Sequence, residues 1–338
     1  MNSVLKDLCL AFSPAGEENE VRDIIIKNLD STKNEYHTDK LGNLVVLHKG
    51  EKQKENLGFF SFMHEAGLMT HNITDEGFIN FISIEAQKEN LSGKSFYCKN
   101  RDLYAVSSTK TWHTSSKEQR ETQPDDSKLV LDFGAKDKKE AEKYIRPSDQ
   151  FVFESDFREN LDGSYSCKAM ERSASALALL NALNSNISKE FYGIFLSGGK
   201  ASKGPLKVSA ANSSISFGVI LEGMGAGDNP FCPEKEKTCQ MKKGFSIAFT
   251  EGRIMYSKPF VNYIIDRAEK ENIPFQIRTN FREVTFPSSL LDAGQGVRTA
   301  LLGLPVEYPA SPSSTVFSED IKSLEEIIKS VASEAVSL

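Results

Sequence analysis

The sequence predicts an α/β fold, a mixed sheet flanked by helices with a β-rich domain inserted into it. Three observations predict this. Apolar runs of strand length, GFFSFM (58–63), FYGIFLS (191–197) and ISFGVIL (215–221), share the chain with amphipathic helical segments, as in a parallel or mixed sheet covered on both faces. From about 70 to 165 the texture changes to short β-like pieces between polar loops. The 338 residues include 22 Phe and 9 Tyr, enough for about two domains with sizeable cores. The division is an α/β domain made of 1–69 and 166–338, and an inserted β-rich domain at 70–165.

The elements follow in order. In EENEVRDIIIKNL (17–29), Val21, Ile24, Ile25 and Leu29 share one helix face, with Glu17, Glu18 and Glu20 early and Lys27 late, as the helix dipole favours. A turn at 39–43 leads into the strand LVVLH, and GFFSFM is the next strand. Within the insertion, GFINFISI, KSFYC, LYAVSS, KLVLDFG and QFVFESDF read as strands and KDKKEAEKYI as a short helix. The stretch 114–128 has no periodic apolar face and reads as an exposed loop. Beyond 168, RSASALALLNAL, SKPFVNYIIDRAEKENI and EDIKSLEEIIKSVASEAV read as helices, and PFQIRT as a strand.

Composition excludes several function classes. Lys and Arg number 41 against 47 Asp and Glu, a net charge of -6, so there is no bulk electrostatic reason to bind nucleic acid. No apolar run approaches the roughly 20 residues that span a bilayer, and Lys6 and Asp7 interrupt the apolar start, so neither a membrane span nor a signal peptide is expected. Cys9, Cys98, Cys167, Cys232 and Cys239 form no CxxC pair and leave one over, as expected of reduced thiols in a cytoplasmic protein.

Chemistry is sparse. His64-Glu65 ends the strand GFFSFM, where functional groups often sit, though a polar residue leaving the core is at least as good a reading. SGGKASKG (197–204) fails the Walker spacing, because Gly204 is followed by Pro205, and reads as a strand-to-helix turn. Glu171, Glu222 and Asp228 are carboxylates near element ends that could converge with Glu65 on a cation. The Ser-rich 311–315 segment has no nucleophile elbow and no nearby His, and reads as a loop.

An ordered set of landmarks across nearly the whole chain resembles the cobalt- or zinc-dependent deblocking and glutamyl aminopeptidases of the TET type. These landmarks are LCLAFSPAGEENEVRD, DKLGNLVV, FMHEAGLMTHNITDEGFINF, AVSSTKTWH, LDFGAKDKKEAEKYI, EGMGAGDNP and AEKENIPFQ. The resemblance implies a metallo-aminopeptidase (phosphorylase/hydrolase-like) α/β domain, an inserted dimerisation domain, and two metal ions about 3.5–4 Å apart that activate water.

The departures matter most. Where the family's strand motif supplies a His ligand, this chain has Phe62, and the Asp that orients that ligand is replaced by His64; Glu65 matches. At the bridging Asp stands Met170, unless a one-residue register change brings Glu171 into the slot; Arg172 is kept. The Glu-Glu pair that gives the general base and a ligand is Gly198-Gly199. Glu222 is retained, and the final His is Ala310. Phe, Gly and Ala offer no donor atoms, whereas such cations need about four ligands.

The resemblance therefore implies a catalytically inactive homologue with a binding, scaffolding or regulatory role, without a catalytic residue, metal or other cofactor. Glu171 and Glu222, left without cations, are expected to draw in Arg172 or Lys200, or to face a wet residual cleft with His64 and Glu65. The expected partners are further copies of the chain, in a dimer or larger homo-oligomer, with co-assembly with an active relative and a peptide ligand also consistent. The alternative is an active zinc or cobalt aminopeptidase that uses His64, Glu171 and Glu222 in an altered metal site. A glycosidase reading on Glu65 and Glu222, prompted by older glucanase labels in the family, has no demonstrated carboxylate pair behind it.

Overall fold

A computed structural model describes residues 2–87, 91–108, 116, 129–199, 202–228, 231–233, 237–252, 254–278 and 288–336. Lys200, and all of 114–128 except Ser116, lie outside the described residues.

The chain opens with helices α1 (Asn2–Leu10) and α2 (Asn19–Asn28), then strands β1 (Asn34–Thr38), β2 (Leu44–His48) and β3 (Asn56–Phe62). Next come β4 (Gly67–Ile73), β5 (Ile79–Ile84), β6 (Ser95–Cys98), β7 (Leu103–Ser108), β8 (Val130–Asp132), the short helix α3 (Lys138–Ala141) and β9 (Gln150–Phe153). The hairpin β10 (Arg158–Glu159) and β11 (Ser164–Cys167) leads into α4 (Met170–Leu183). The rest is β12 (Phe191–Leu196), α5 (Lys203–Asn212), β13 (Ile215–Gly225), β14 (Phe245–Ala248), β15 (Thr250–Glu251), β16 (Ile254–Met255), α6 (Lys258–Lys270), β17 (Phe275–Arg278), α7 (Ser288–Leu291), β18 (Arg298–Val306), β19 (Ser314–Phe317) and α8 (Ser318–Ser333).

The main sheet has the order β1-β2-β12-β3-β13-β18-β14-β17. Its centre, β12-β3-β13-β18, is parallel, and its flanks include antiparallel pairs, so the sheet is mixed. The central β3 is buried on both faces over Leu57–Phe62, which is why it reads as an unbroken apolar run. Helix α4 is buried on every side except at Asn181, wedged between the sheet and helices α1 and α8. Its small Ser and Ala residues let those layers approach closely. Helix α8, by contrast, is amphipathic and turns Ile321, Leu324, Ile327, Ile328 and Val331 inward.

The insertion forms a closed barrel, β4-β5-β8-β7-β6-β9, around its own apolar cluster, which includes Leu68, Ile79, Phe96, Leu131, Phe151 and Phe153. Its first strand starts at Gly67 and its last ends at Phe153. Strand β11 belongs elsewhere, pairing antiparallel with β19 of the α/β body. The barrel thus leaves the body directly after β3 and returns through the hairpin β10–β11, which leads into α4.

Candidate active site

The candidate site lies at the carboxyl end of the parallel strands, facing the first turn of α4. Chain direction at β3 carries Phe62, His64 and Glu65 there, β12 carries Gly198-Gly199, and β13 carries Glu222. Helix α4 starts after Ala169, whose left-handed φ of 54° turns the chain, so Met170, Glu171 and Arg172 make its first turn.

The charged groups there are paired with one another. Arg172 Nη1 lies 2.5 Å from Glu171 Oε1. Arg172 Nη2 is paired with Glu85 Oε2 and lies 3.5 Å from His64 Nε2. His64 Nε2 is in turn 2.9 Å from Glu85 Oε1. The guanidinium therefore sits among two carboxylates and an imidazole. Burial acts to discharge Arg172, but Glu85 and Glu171 outweigh it and hold its pKa above the ordinary arginine value. The Ala310 backbone N–H donates to Glu171 Oε1 at 3.2 Å.

Glu65 faces a second cation. Its Oε1 accepts from Lys168 Nζ at 2.9 Å and from the Ser13 backbone N–H at 3.0 Å. Burial raises its pKa, against the lowering by Lys168 and Ser13. Phe62 fills the neighbouring space with its ring, edge-on to His64 at 5.4 Å between centroids.

The turn after β12 is held rather than loose. Gly198 donates its N–H to Glu18 Oε1 at 2.7 Å, and Ser197 Oγ donates to Glu18 Oε2 at 2.6 Å. Gly198 and Gly199 have φ of +82° and +74°, a region that disfavours side chains. A Cβ on Gly199 would lie 3.1 Å from Ala15 Cβ and 3.6 Å from His64 Cδ2, which places this turn against His64. Glu222 is paired in register with Gly303 in the sheet. Its neighbour Gly223 passes so close to α4 that a Cβ there would fall 2.2 Å from Glu171 Cβ.

The structure therefore gathers His64, Glu171, Arg172, Gly199 and Ala310 around one point. Glu65 lies on its Lys168 side, and Glu222 lies on the strand that abuts Glu171. Met170 points its thioether away, toward Cys9. The polar side chains gathered here are buried, His64 0% exposed, Glu65 1%, Glu171 3%, Glu222 5% and Arg172 8%, with the Arg172 head group turned to Glu171. Arg172 compensates Glu171 and Glu85, and Lys168 compensates Glu65. A groove of 870 Å³ opens at the other end of the strands, lined by residues such as Ile215, Tyr256, Gly296 and Arg298.

Sequence reasoning missed three members of this arrangement. Glu85 follows β5 with φ of 60° and reaches in from the barrel. Lys168, just before α4, pairs with Glu65, and its polar surroundings in SYSCK give no sequence signal of this. Glu18 looked like an ordinary helix-start acid. Among the described residues, no group of three or more His, Cys, Asp or Glu side chains is arranged to hold a metal ion. Glu171 Oε1 is taken by Arg172 and the Ala310 N–H, Glu85 by Arg172 and His64, and Glu65 by Lys168 and the Ser13 N–H, while Glu171 Oε2 is buried with no hydrogen-bond partner among the described residues.

Comparison with known proteins adds four findings. Residues 42–327 match the sequence profile described as M42 glutamyl aminopeptidase. A protein of Acetivibrio thermocellus named as a candidate aminopeptidase is 24% identical over 325 residues, covering 95% of each chain. Among solved structures, an aminopeptidase from the archaeon Desulfurococcus kamchatkensis superposes with a TM-score of 0.91 at 24% identity, over 99% of this chain and 94% of the other. The TET1 peptidase of Pyrococcus horikoshii, described as assembling into a tetrahedron or a large octahedral shell, gives 0.84 at 23% identity, over 98% and 99%. At these identities the structural likenesses establish the mixed α/β fold.

Proposed function

Because the chain belongs to the M42 glutamyl aminopeptidase family, we propose that it is a member without peptidase activity, retaining the fold for a binding, scaffolding or regulatory role in a homo-oligomer. One observation carries this reading: Phe62, Gly199 and Ala310, which have no side-chain donor atoms, stand where the resemblance implies metal ligands, beside an Arg172 paired with Glu171 and Glu85. A divalent cation would have to displace a buried arginine from two carboxylates, and Phe62, Gly199 and Ala310 would offer it no side-chain donors. Glycine at 198 leaves no general base to take a proton from water. The donor set thus does not fit the family's dinuclear centre, and no hydrolytic step is derived through one.

Assembly is proposed on two supports. The solved TET1 peptidase assembles into closed shells, and the barrel of this chain presents Ile82, Tyr104 and Val106 outward from its strands. A dimerisation role for the barrel, co-assembly with an active relative, a peptide ligand and a cytoplasmic setting belong to the same proposal. Among the described residues, no helix is long and apolar enough to cross a membrane. The test is an aminopeptidase assay on purified protein with and without added zinc or cobalt, run beside metal analysis.

A further inference from the structure

Strand β1 is the outermost strand at one edge of the main sheet. Every residue of β1 after Asn34 is exposed. The bonds at the two ends of the β1–β2 ladder fix which main-chain groups point outward. Lys49 donates its N–H to the Lys33 C=O at 2.8 Å, and Asp39 donates to the Asn43 C=O at 3.0 Å. With Asn34 opposite His48 and Thr38 opposite Leu44, the odd-numbered residues Glu35 and His37 therefore bond to β2. The N–H and C=O groups of Tyr36 and Thr38, and the C=O of Asn34, point away from the sheet. The Asn34 N–H is held by the Asp30 C=O at 3.1 Å. Such an edge is a template for another strand.

We infer that β1 is a self-recognition edge, which pairs antiparallel with β1 of a second copy of the chain about a two-fold axis at Tyr36. The side-chain pattern selects both the partner and the register. Outward groups meet only when even-numbered residues face even-numbered ones, and the register centred on Tyr36 is the one that uses all five residues of β1. Centred on Glu35, the pairing would set Glu35 against Glu35. Centred on His37, it would set His37 against His37 and Glu35 against Asp39, and like charges directly opposite are destabilising. Centred on Tyr36, it sets Glu35 against His37 and Asn34 against Thr38, each twice, and the two Tyr36 rings against each other. Glu35 and His37 then form non-hydrogen-bonded pairs, where side chains stand closest, so carboxylate and imidazole are within reach. The Glu35 side chain is 69% exposed even with Lys49 3.3 Å away, and Tyr36 is 47% exposed. Reciprocal N–H to C=O bonds link the two Tyr36 residues, and each Thr38 N–H donates to an Asn34 C=O. Charges on an edge strand ordinarily keep other strands away. Here the two-fold axis turns them into complementary pairs, as a self-matching contact requires. Two eight-stranded sheets thereby join into one continuous sheet.

The inference specifies one contact of the homo-oligomer proposed above and rests on that self-association. The test is sedimentation velocity of the full chain across the micromolar range. Tyr36→Pro removes an N–H that points away from β2, so it costs no bond of the β1–β2 ladder. It should weaken self-association at least about 10-fold, because each pair of copies loses two donors. His37→Glu sets Glu35 against a second carboxylate and should weaken self-association several-fold. Glu35→Lys/His37→Glu restores opposite charges and should recover it. Tyr36→Cys should crosslink two copies on mild oxidation, since hydrogen-bonded partners stand about 5.5 Å apart at Cα, a distance that a disulfide spans. Leu41→Cys, exposed but far from its own copy in this register, should not crosslink. A wild-type monomer would overturn both this inference and the proposed assembly. An oligomer unchanged by Tyr36→Pro, a loss in His37→Glu that the double variant does not recover, or equal crosslinking of the two cysteine variants would overturn this inference alone.

Discussion

Arg172 Nη1 lies 2.5 Å from the Oε1 of its neighbour Glu171, an ion pair between consecutive residues at the first turn of a buried helix. Adjacent residues on a helix do not normally face each other. Here the long arginine folds back because Glu171, Glu85 and His64 form the only polar surroundings described for its head group.

Removing that head group strands buried carboxylates. Arg172→Leu should destabilise the chain by about 3–5 kcal/mol, the usual cost of breaking one partner of a buried pair. Adding Glu171→Gln should recover part of the loss, because the uncompensated charge goes with it. Urea unfolding midpoints of the three proteins decide this. A wild-type midpoint for Arg172→Leu would show that the guanidinium is not the compensating charge.

Restoring the acidic pair in the turn after β12 should not restore chemistry. Gly198→Glu and Gly199→Glu each force a side chain into left-handed backbone, at about 1–2 kcal/mol per site. The second also presses on Ala15. The double variant should melt lower than wild type and hydrolyse no aminoacyl chromogenic substrate with added zinc or cobalt. Metal-dependent turnover in this variant would show that the missing base alone silences the site.

Asp320, at the start of α8, accepts N–H groups from Lys242 and Gly244 at 2.8 Å each. Burial outweighs these bonds and pushes its pKa from 3.8 up to about 6. A carboxyl with a raised folded-state pKa favours the neutral folded form. Its stabilising contribution is present below about pH 4 and is lost as pH rises through about 6, amounting to roughly 3 kcal/mol at most. The stability of wild type relative to Asp320→Asn should therefore shrink between pH 4 and pH 7. Denaturant titrations across that range check the sign, and a difference that grows with pH would contradict it.

Light scattering at micromolar concentration should give a dimer or a larger assembly. Tyr104→Glu with Val106→Lys, on the outer face of β7, should lower the mass without unfolding the chain, since both side chains are about half exposed. A wild-type monomer would contradict the proposed assembly.

Much of this fold was legible in the sequence because its signals are local. Buried strands such as β3 and β12 are unbroken apolar runs, and α2, α6 and α8 carry clear helical periodicity. The central strand β18 escaped notice because Gly303 and Pro305 interrupt it. Gly303 is needed where the backbone passes Ser246, whose Oγ would be 2.3 Å from an added Cβ. Helix α1 was read only as an apolar start, since its nine residues are too few for a decisive pattern. At the site, the replaced positions Phe62, Gly198, Gly199 and Ala310 could be read by matching motifs. Glu85 could not, because only the closure of the barrel and a left-handed residue bring it to Arg172 from a strand in another domain.

The central claim, loss of metal-dependent hydrolysis, is tested most directly by one measurement on the purified full-length chain. Hydrolysis of aminoacyl chromogenic substrates is followed while zinc or cobalt is titrated in, with bound metal quantified in the same samples. The account predicts no turnover above that of Glu222→Ala and no stoichiometric zinc or cobalt at any concentration. Turnover that rises with bound metal and disappears in Glu222→Ala would contradict it.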